Sequence, residues 1–460
     1  MATGSAPIDY SSGNIPAYKP RYPLQTLYRM VREPMDLFSE AASLGDIVRL
    51  SGGRQETYLL NHPDLIRDVL VTNHRMFHKS PILRRMGRLL GQGLLTSEDE
   101  LHLRQRRLIA PAFHRARVAE YAQLMTGHAQ KVMAGWRSGE TRDMHHEMMR
   151  LTMLTVAAAL FGSDVEKETE KLGEAISILI AGARRVILPF WEKIEHLPLP
   201  SQKRINEARL LVDHKIRAMI AERRALLRQG GEMALRHDLL DMLLRARDEE
   251  GDGKGMSDEQ VRDEVMTLFL AGHETTANVL AWTLYLLSQH PGAEGHLVSE
   301  VHHALGGRIP TAEDTDRLPY ARMVLSESMR MYPPAWTISR EALQDYPAAG
   351  LIIPKGSVVI MSQWVSHHDP RYFPDPYRFD PQRWTPEAAA ARPKFAYYPF
   401  GGGPRLCVGE PFAWMESILI LAMLVQHWQF RLQPGFQVVP NPQVTLRPKY
   451  GLRMILTERD

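Results

Sequence analysis

The chain of 460 residues contains a single cysteine, Cys407. One cysteine cannot form an intrachain disulfide, so a reducing compartment is expected, and we predict a cytoplasmic protein. The chain also lacks an excess of charge of one sign, because 56 Lys and Arg stand against 53 Asp and Glu. A formal net charge of +3 argues against a nucleic-acid partner unless the positive side chains are clustered.

Long hydrophobic runs are missing too. Residues 1–23 are polar and rich in Pro, Ser, Gly and Tyr, and they contain nothing close to the ~20 apolar residues that a membrane span needs. We therefore expect no membrane anchor, an irregular leader over residues 1–23, and a single domain over residues 24–460. The sequence shows no internal repeat and no Rossmann-type glycine fingerprint, so no built-in flavin or nicotinamide domain is expected. Neither His-Glu pair is followed by the second histidine that a zinc protease motif requires.

The lone cysteine lies in a glycine-rich stretch, residues 400–409 (FGGGPRLCVG), just ahead of an apolar helical run. A helix N-terminus favours the thiolate form of a cysteine, which is the form that binds iron. Gly403 and Gly409 allow tight turns and leave room for a flat cofactor. Arg405 supplies a permanent positive charge for an anionic group on the rim of such a cofactor. The alternative interpretation is a buried structural cysteine in a loop.

The spacing Phe400-x-x-Gly403-x-Arg405-x-Cys407-x-Gly409 resembles the haem-binding signature of the cytochrome P-450 superfamily, with every fixed position matched. The resemblance implies a mainly α fold with small β-sheets, arranged as a triangular helical prism around a buried haem b. It also implies that Cys407 is the axial ligand of the iron and that Phe400 and Arg405 contact the cofactor. The absence of an anchor resembles soluble bacterial members more than the membrane-anchored eukaryotic ones.

Two further segments carry positive charge for the cofactor. His102 and Arg106 are four residues apart and share one helix face. They resemble the His-x-x-x-Arg pattern with which soluble bacterial members bind haem propionates, although a solvated basic helix face is the alternative for these two residues alone. The resemblance also places Arg340, in an extended segment after a proline pair, near a propionate.

A long helix is predicted to begin after Ser257, with Gln260 completing a capping box, and to run to about Gln289. Its middle, Ala271-Gly-His-Glu-Thr275, resembles the family's oxygen-activation motif. Small residues let a planar ligand lie against the helix, and the Thr275 hydroxyl competes for the Ala271 carbonyl, which favours a local kink. The resemblance makes Thr275 a hydrogen-bond donor in oxygen activation and Glu274 a proton relay. The alternative is a threonine that bonds back within its helix beside a salt-bridged Glu.

The third motif is Glu327-x-x-Arg330, in a helix predicted from near Pro319 to just before a proline pair. Alone it indicates no more than a solvated ion pair. Residues 379–384 (FDPQRW) resemble the family's meander motif, with Gln382 for the commoner acid and Trp384 for Phe. The resemblance implies that Arg383 joins Glu327 and Arg330 in a buried charge network that holds the cysteine loop, so these three are predicted to be structural.

The last two predictions concern β-hairpins and the substrate pocket. Residues 46–50 with 56–60, and residues 351–360 around a Pro-Lys-Gly turn, are predicted to form β-hairpins. The residues expected to line an apolar substrate pocket are Leu268, Phe269, Ala271, Trp336 and Thr337.

The predicted function is a haem-thiolate monooxygenase that inserts one atom of dioxygen into an apolar substrate by hydroxylation or epoxidation. Its electrons would come from NAD(P)H through a separate ferredoxin- or flavodoxin-type donor and its reductase. The alternatives are a haem-thiolate isomerase or dehydratase, a peroxygenase, and a non-catalytic haem-binding protein. Fatty acids, terpenoids, steroids and macrolides all fit the apolar pocket candidates.

Overall fold

The computed structural model describes residues 15–21, 25–50, 55–162, 166–183, 199–230 and 238–459. Helices dominate. In chain order they are α1 (Gln25–Arg32), α2 (Pro34–Ala42), α3 (Pro63–Arg67), α4 (Pro81–Arg85), α5 (Gly87–Leu90), α6 (Asp99–Ile109), α7 (Arg115–Glu120), α8 (Ala122–Met133), α9 (Met144–Phe161), α10 (Glu166–Ala183), α11 (Pro200–Gly230), α12 (Leu239–Arg245), α13 (Asp258–Gln289), α14 (Pro291–Leu305), α15 (Pro319–Met331), α16 (Gln363–His367), α17 (Pro386–Ala390) and α18 (Glu410–His427).

The strands are short. They are β1 (Ala17–Tyr18), β2 (Ile47–Leu50), β3 (Thr57–Leu60), β4 (Phe77–Lys79), β5 (Thr141–Asp143), β6 (Ile338–Ala342), β7 (Tyr346–Ala348), β8 (Leu351–Ile353), β9 (Val358–Met361), β10 (Trp428–Leu432), β11 (Pro440–Pro442), β12 (Leu446–Pro448) and β13 (Arg453–Glu458).

The described chain groups into two compact units. The first combines the described parts of residues 1–81 with residues 322–407 and 440–447. The second combines the described parts of residues 82–321 with residues 408–439 and 448–459. The single domain expected for residues 24–460 stays a prediction.

The first unit is built on a six-stranded sheet in the order β1-β2-β3-β9-β6-β4. The pairing of β2 with β3 is antiparallel, as the sequence predicted for this hairpin, and the turn that joins them lies outside the described residues. Val359 of β9 and Phe77 of β4 belong to the apolar cluster of this sheet. Because β4 and β6 are neighbours, they bring Lys79 and Arg340 to directly opposite positions.

Two local expectations differ from the structure. Ala17 and Tyr18, within the expected irregular leader, pair with Arg49 and Leu50 of β2; residues 1–14 of that leader lie outside the described residues. The hairpin expected over residues 351–360 is wrong, because β8 pairs with β7 whereas β9 pairs with β3 and β6. The partner of β8 is the strand just before it in sequence, whereas β9 pairs with the more distant β3 and β6, which no local pattern reports.

The second unit is mainly helical and is organised on α13. The predicted capping box is present: the Gln260 amide donates to Ser257 Oγ at 3.2 Å, and the Ser257 amide donates to Gln260 Oε1 at 3.1 Å. The helix then continues without a break to Gln289, the predicted end. It packs against α9, where the Thr152 hydroxyl donates to the His273 carbonyl at 2.8 Å. This contact fixes the middle of α13, where residues 271–275 lie.

Among the helices of the described ranges, none is both long and apolar enough to cross a bilayer.

Candidate functional site

The cysteine loop is closed by its own backbone. The Cys407 amide donates to the Phe400 carbonyl at 3.0 Å, and the Leu406 amide donates to the Gly403 carbonyl at 3.0 Å. Gly403 has a φ of +66°, and a Cβ at this position would overlap the carbonyl group of Leu70. Only glycine therefore combines this conformation with this close approach. The result is a short rigid loop on which the Cys407 side chain is exposed.

Three cationic side chains lie along β4 and β6 in the same unit. The Arg405 guanidinium donates to the Phe77 carbonyl at 3.1 Å. Two residues along β4, Lys79 is buried, and it stands directly opposite the buried Arg340 of β6. Opposite residues on neighbouring strands point to the same face of the sheet. Two cations on one face of a sheet can both donate hydrogen bonds to carboxylates, so this pair suits carboxylates on the rim of a cofactor.

Sequence reasoning identified Arg340 and Arg405 but missed Lys79. The available signal was a lysine two residues after Phe77 and immediately before Ser80 and Pro81. That signal is weak, because most such lysines are exposed at strand ends. Only the register between β4 and β6 shows that Lys79 faces Arg340.

A charge network surrounds Glu327, which is fully buried together with Arg330. Arg330 forms two hydrogen bonds with its carboxylate, Nε to Oε2 at 2.8 Å and Nη2 to Oε1 at 2.9 Å, and neither side chain is exposed. Arg383 forms a further ion pair with Oε1 at 3.4 Å. Trp384, which stands where the resemblance expects Phe, donates its indole N–H to Oε2 at 2.9 Å. The structure thus brings the three predicted structural residues together and adds a fourth partner.

Arg330 also ties the network to the following segment. Its Nη1 donates to the carbonyl oxygens of His367 at 2.9 Å and Pro376 at 2.7 Å. Burial lowers the pKa of His367 well below its ordinary value, so this imidazole is neutral. His367 Nε2 accepts a hydrogen bond from the Tyr398 amide at 3.1 Å. The Tyr398 carbonyl in turn accepts a hydrogen bond from the Gly401 amide at 2.9 Å, so the network continues to the start of the cysteine loop.

The middle of α13 has one accessible strip. Ala271 is exposed, and Gly272 and Thr275 are half-buried, although Glu274 and most of the helix are buried. The Thr275 hydroxyl donates to the Ala271 carbonyl at 2.7 Å, as expected, yet the helix shows no break at this point. A Cβ on Gly272 would approach Val156 of α9 to 2.9 Å, so the small residue here also serves helix packing.

His273 and Phe269 face the other side of the helix. His273 is fully buried, its Nδ1 lies 3.0 Å from the Phe269 carbonyl, and burial lowers its pKa. Phe269 is fully buried as well and packs on Phe161 with ring centroids 6.4 Å apart. Phe269 therefore contributes to the core, whereas Leu268 is 9% exposed. Contact of Phe269 and Leu268 with substrate stays a prediction.

The remaining site candidates lie in both units. In the second unit, α6 carries His102, which is buried, and Arg106, which is half-buried one turn later. In the first unit, Trp336 stacks on Phe38 with ring centroids 5.9 Å apart and donates to the Gln443 carbonyl at 2.9 Å. The Thr337 hydroxyl is buried and has no hydrogen-bond partner within the described residues. No cluster of three or more His, Cys, Asp or Glu side chains able to hold a metal ion occurs in the described ranges.

The residues fit a haem. One exposed thiolate-capable side chain lies on a glycine-rich loop, and the same compact unit contains the buried cations Lys79 and Arg340. No competing set of metal ligands is found among the described side chains. These are the ligand and rim partners that a haem-thiolate centre needs.

Comparisons with known proteins agree with these features. The cytochrome P450 family model matches residues 20–454. A cyclooctatin synthase from Streptomyces melanosporofaciens is 39% identical over 428 residues, which cover 93% of this chain and 92% of that protein. A cyclooctat-9-en-7-ol 5-monooxygenase from the same species is 35% identical and covers 94% of this chain and 93% of its own length. A pentalenene oxygenase from Streptomyces avermitilis is 33% identical, with 94% coverage of both chains. Among solved structures, the crystal structure of the cytochrome P450DA heme domain matches with a TM-score of 0.85 at 26% identity, covering 97% of this chain and 98% of that chain.

Proposed function

This chain belongs to the cytochrome P450 family, and we propose that it hydroxylates or epoxidises a cyclic terpenoid. The chain is an enzyme, a haem monooxygenase that incorporates oxygen into an apolar substrate. The fold is mainly α with small sheets, as the sequence predicted. Substrate class, electron donor and individual residue roles are the proposals that follow.

Cys407 is proposed to ligate the haem iron through Sγ. The exposed position of its side chain leaves the sulfur accessible, and the bonds that close the loop fix its direction. Lys79, Arg340 and Arg405 are proposed to bind the haem propionates in the first unit, because two of them are buried cations on one face of a sheet. His102 and Arg106 of α6 are proposed to do the same, since carboxylates accept hydrogen bonds from both residue types. The bound haem supplies the redox chemistry of oxygen insertion.

Thr275 and Glu274 are proposed to move the protons that oxygen activation consumes. The Thr275 hydroxyl donates to the Ala271 carbonyl, which leaves the lone pairs of Oγ1 free to accept a proton donor such as water. Glu274, the preceding residue, is buried, and a buried carboxyl group can exchange a proton without admitting bulk solvent. His273 is kept neutral by burial, so it adds no positive charge beside them.

The exposure of Ala271 is the observation that best supports oxidation of a substrate at this site. It is exposed in the middle of a helix whose other central residues are largely buried. Residues 268–272 are Leu, Phe, Leu, Ala and Gly, so no charged or hydrogen-bonding side chain lies in this stretch. A site of this kind binds by shape and apolar contact, which suits a rigid cyclic hydrocarbon. Two of the relatives reported above are named cyclooctat-9-en-7-ol 5-monooxygenase and pentalenene oxygenase, and these names state the oxidation of cyclooctat-9-en-7-ol and of pentalenene.

The electron donor is proposed to be a ferredoxin or flavodoxin served by an NAD(P)H-dependent reductase. A P450 monooxygenase needs a redox partner, and the family model accounts for residues 20–454 of the chain. No Rossmann-type glycine fingerprint occurs in the sequence.

The test is turnover of the holoenzyme with a surrogate ferredoxin and its reductase. Cyclic diterpene and sesquiterpene hydrocarbons, and their mono-alcohols, are supplied under 18O-labelled dioxygen, with a linear fatty acid of matching carbon number as the comparison substrate. We expect one labelled oxygen atom in the terpenoid product and at least tenfold slower oxidation of the fatty acid. Preferential oxidation of the fatty acid would reject the terpenoid proposal. Conversion without NAD(P)H or dioxygen would favour an isomerase or dehydratase, and conversion with hydrogen peroxide alone would favour a peroxygenase.

A further inference from the structure

Residues 90–96, which we call the strap, run along the first half of α13 at a distance that requires glycine. A Cβ on Gly93 would lie 2.6 Å from the Asp263 carbonyl oxygen and would overlap the Thr267 hydroxyl. A Cβ on Gly91, whose φ is +86°, would overlap the Asp263 carboxylate. Because a helix backbone cannot move aside, no larger residue fits at position 93 without displacing the strap.

Two consecutive carboxylates on α13 hold the strap by its backbone. The Gln92 amide donates to Asp263 Oδ2 at 2.6 Å, and the Leu94 amide donates to Glu264 Oε2 at 2.9 Å. Asp263 and Glu264 are 6% and 0% exposed, so both bonds are shielded from water. Hydrogen bonds to ionised carboxylates are shorter and stronger than those between neutral groups. The strap is therefore fixed at alternate residues.

The strap is also braced on its other side. The Gln105 side-chain amide, on α6, donates to the Gln92 carbonyl at 2.6 Å. The Thr96 hydroxyl donates to the Gly91 carbonyl at 2.6 Å, which closes the strap on itself. Gln92 is thus held through both of its backbone polar groups.

An ion-pair chain continues from the strap to α11. Arg262 Nη1 donates to Asp263 Oδ1 at 2.7 Å, and Arg262 Nε donates to Asp213 Oδ1 at 2.6 Å. Burial alone would raise the pKa of Asp213, but hydrogen bonds from Arg217 and Arg262 lower it. The Gln92 amide, Asp263, Arg262 and Asp213 are therefore linked by one continuous chain of hydrogen bonds.

The strap lies next to the accessible strip of α13. Thr267, which touches the strap, is followed at four-residue spacing by the exposed Ala271 and by Thr275, and residues at this spacing lie along one side of a helix. At 1.5 Å per residue, Thr275 is about 12 Å along the helix from Thr267. The strap thus borders the surface on which a substrate must lie to reach Thr275.

We propose that Asp263 and Glu264 are positioning residues that hold the strap as a fixed wall of the substrate cavity, and so set the size of substrate that reaches Thr275. This inference rests on the proposed oxidation of an apolar substrate beside Thr275. It concerns which substrate shapes enter the cavity and not the chemistry of oxidation. Neither carboxylate needs to touch the substrate or the haem.

The test compares Glu264→Gln and the double variant Asp263→Asn/Glu264→Gln with the control Asp258→Asn. This control removes an exposed carboxylate from the first turn of the same helix, where it pairs with Arg224 and not with the chain above. Hydrogen exchange of the peptide that contains residues 90–96 reports on the anchor. Affinity for two imidazole ligands of the haem, one with a single phenyl ring and one with a three-ring substituent, reports on cavity size without requiring turnover. The reduced carbon monoxide spectrum reports whether the haem centre is intact.

We expect exchange in the strap peptide to rise at least tenfold in the double variant, while Asp258→Asn stays like the wild type. Affinity for the three-ring ligand should rise about tenfold with little change for the phenyl ligand. Faster exchange with unchanged selectivity between the two ligands would overturn the proposal, as would unchanged exchange. If the double variant fails to fold, the milder Glu264→Gln tests the proposal by the same two measurements, which are hydrogen exchange of the strap peptide and affinity for the two imidazole ligands. Failure of the wild type to oxidise terpenoids would reject the proposed substrate class and leave these readouts unaffected.

Discussion

Glu416 on α18 is a buried acid whose replacement gives a quantitative prediction. Its side chain is 0% exposed, and burial raises its pKa to about 8 from an ordinary value of 4.5. The hydroxyls of Thr155 and Thr276 face it, but neither carboxyl oxygen forms a hydrogen bond of normal geometry within the described residues. The Thr155 hydroxyl donates to the Leu151 carbonyl at 3.1 Å instead. A protonated Glu416 carboxyl can therefore donate a hydrogen bond to the Thr155 hydroxyl oxygen. An ionised Glu416 would receive no hydrogen bond from Thr155, because the Thr155 proton is already donated to Leu151.

The raised pKa makes the folded state less stable as pH increases. Below about pH 4.5 Glu416 is protonated in both the folded and the unfolded chain, so its contribution is fully present. Between that pH and about 8 the unfolded chain loses its proton and the folded one keeps it, and stability falls by about 1.4 kcal/mol per pH unit. Glu416→Gln keeps a neutral side chain of the same size. The stability of this variant relative to the wild type should therefore increase by about 2.5 kcal/mol between pH 5.5 and pH 7.5.

The assay is denaturant unfolding of the wild-type and Glu416→Gln holoenzymes at both pH values, followed by far-UV circular dichroism. Glu410→Gln is the control, because it removes a carboxylate from the first turn of the same helix, where the side chain is partly exposed. Only the pH dependence of the difference is interpreted, since haem release affects each protein alike. A difference between Glu416→Gln and the wild type that is the same at pH 5.5 and pH 7.5 would refute a neutral buried Glu416.

Three further substitutions test the site. Trp384→Phe removes the indole hydrogen bond to the Glu327 carboxylate and should cost about 1.5–3 kcal/mol of unfolding free energy, measured by denaturant titration. Gly403→Ala should cost about 1–3 kcal/mol of unfolding free energy through its positive φ alone, and it should lose haem to apomyoglobin faster than the wild type. The control Gly435→Ala, also at positive φ but in open space, should keep its haem. Thr275→Val should lower product formation about 100-fold or more while NAD(P)H consumption continues, measured by product per NAD(P)H.

Matched controls separate these effects from loss of volume. Trp364→Phe removes the same atoms from a ring that packs on His368 at a centroid distance of 4.4 Å. A stability loss equal to that of Trp384→Phe would contradict the role of the indole bond. Thr283→Val removes a hydroxyl that bonds back to Val279 at 2.7 Å, as Thr275 bonds to Ala271. Equal loss of product per NAD(P)H in both threonine variants would contradict a role specific to Thr275.

Local patterns predicted the features that depend on sequence neighbours. The capping box and the end of α13 follow from side chains three residues apart and from the histidine-proline pair after Gln289. The helix that carries Glu327 and Arg330 begins and ends at prolines for similar reasons. The cysteine motif was recognisable because its spacing is fixed by a tight loop.

Features that depend on distant partners were not predictable in this way. Asp263 and Glu264 look like ordinary helix carboxylates in sequence, and their backbone partners lie about 170 residues earlier. The indole of Trp384 reaches a carboxylate 57 residues away. Lys79 is seen to lie opposite Arg340 only from the register of β4 against β6. In each case packing selects the contact, and no periodicity of the chain encodes it.

The central claim is that Cys407 holds a haem through its thiolate. The most direct measurement is the difference spectrum of dithionite-reduced protein with and without carbon monoxide. We predict a Soret band strongly red-shifted from that of a histidine-ligated haem, and loss of this band in Cys407→Ala. Absence of the band in folded, haem-replete wild-type protein, or its persistence in Cys407→Ala, would contradict the assignment.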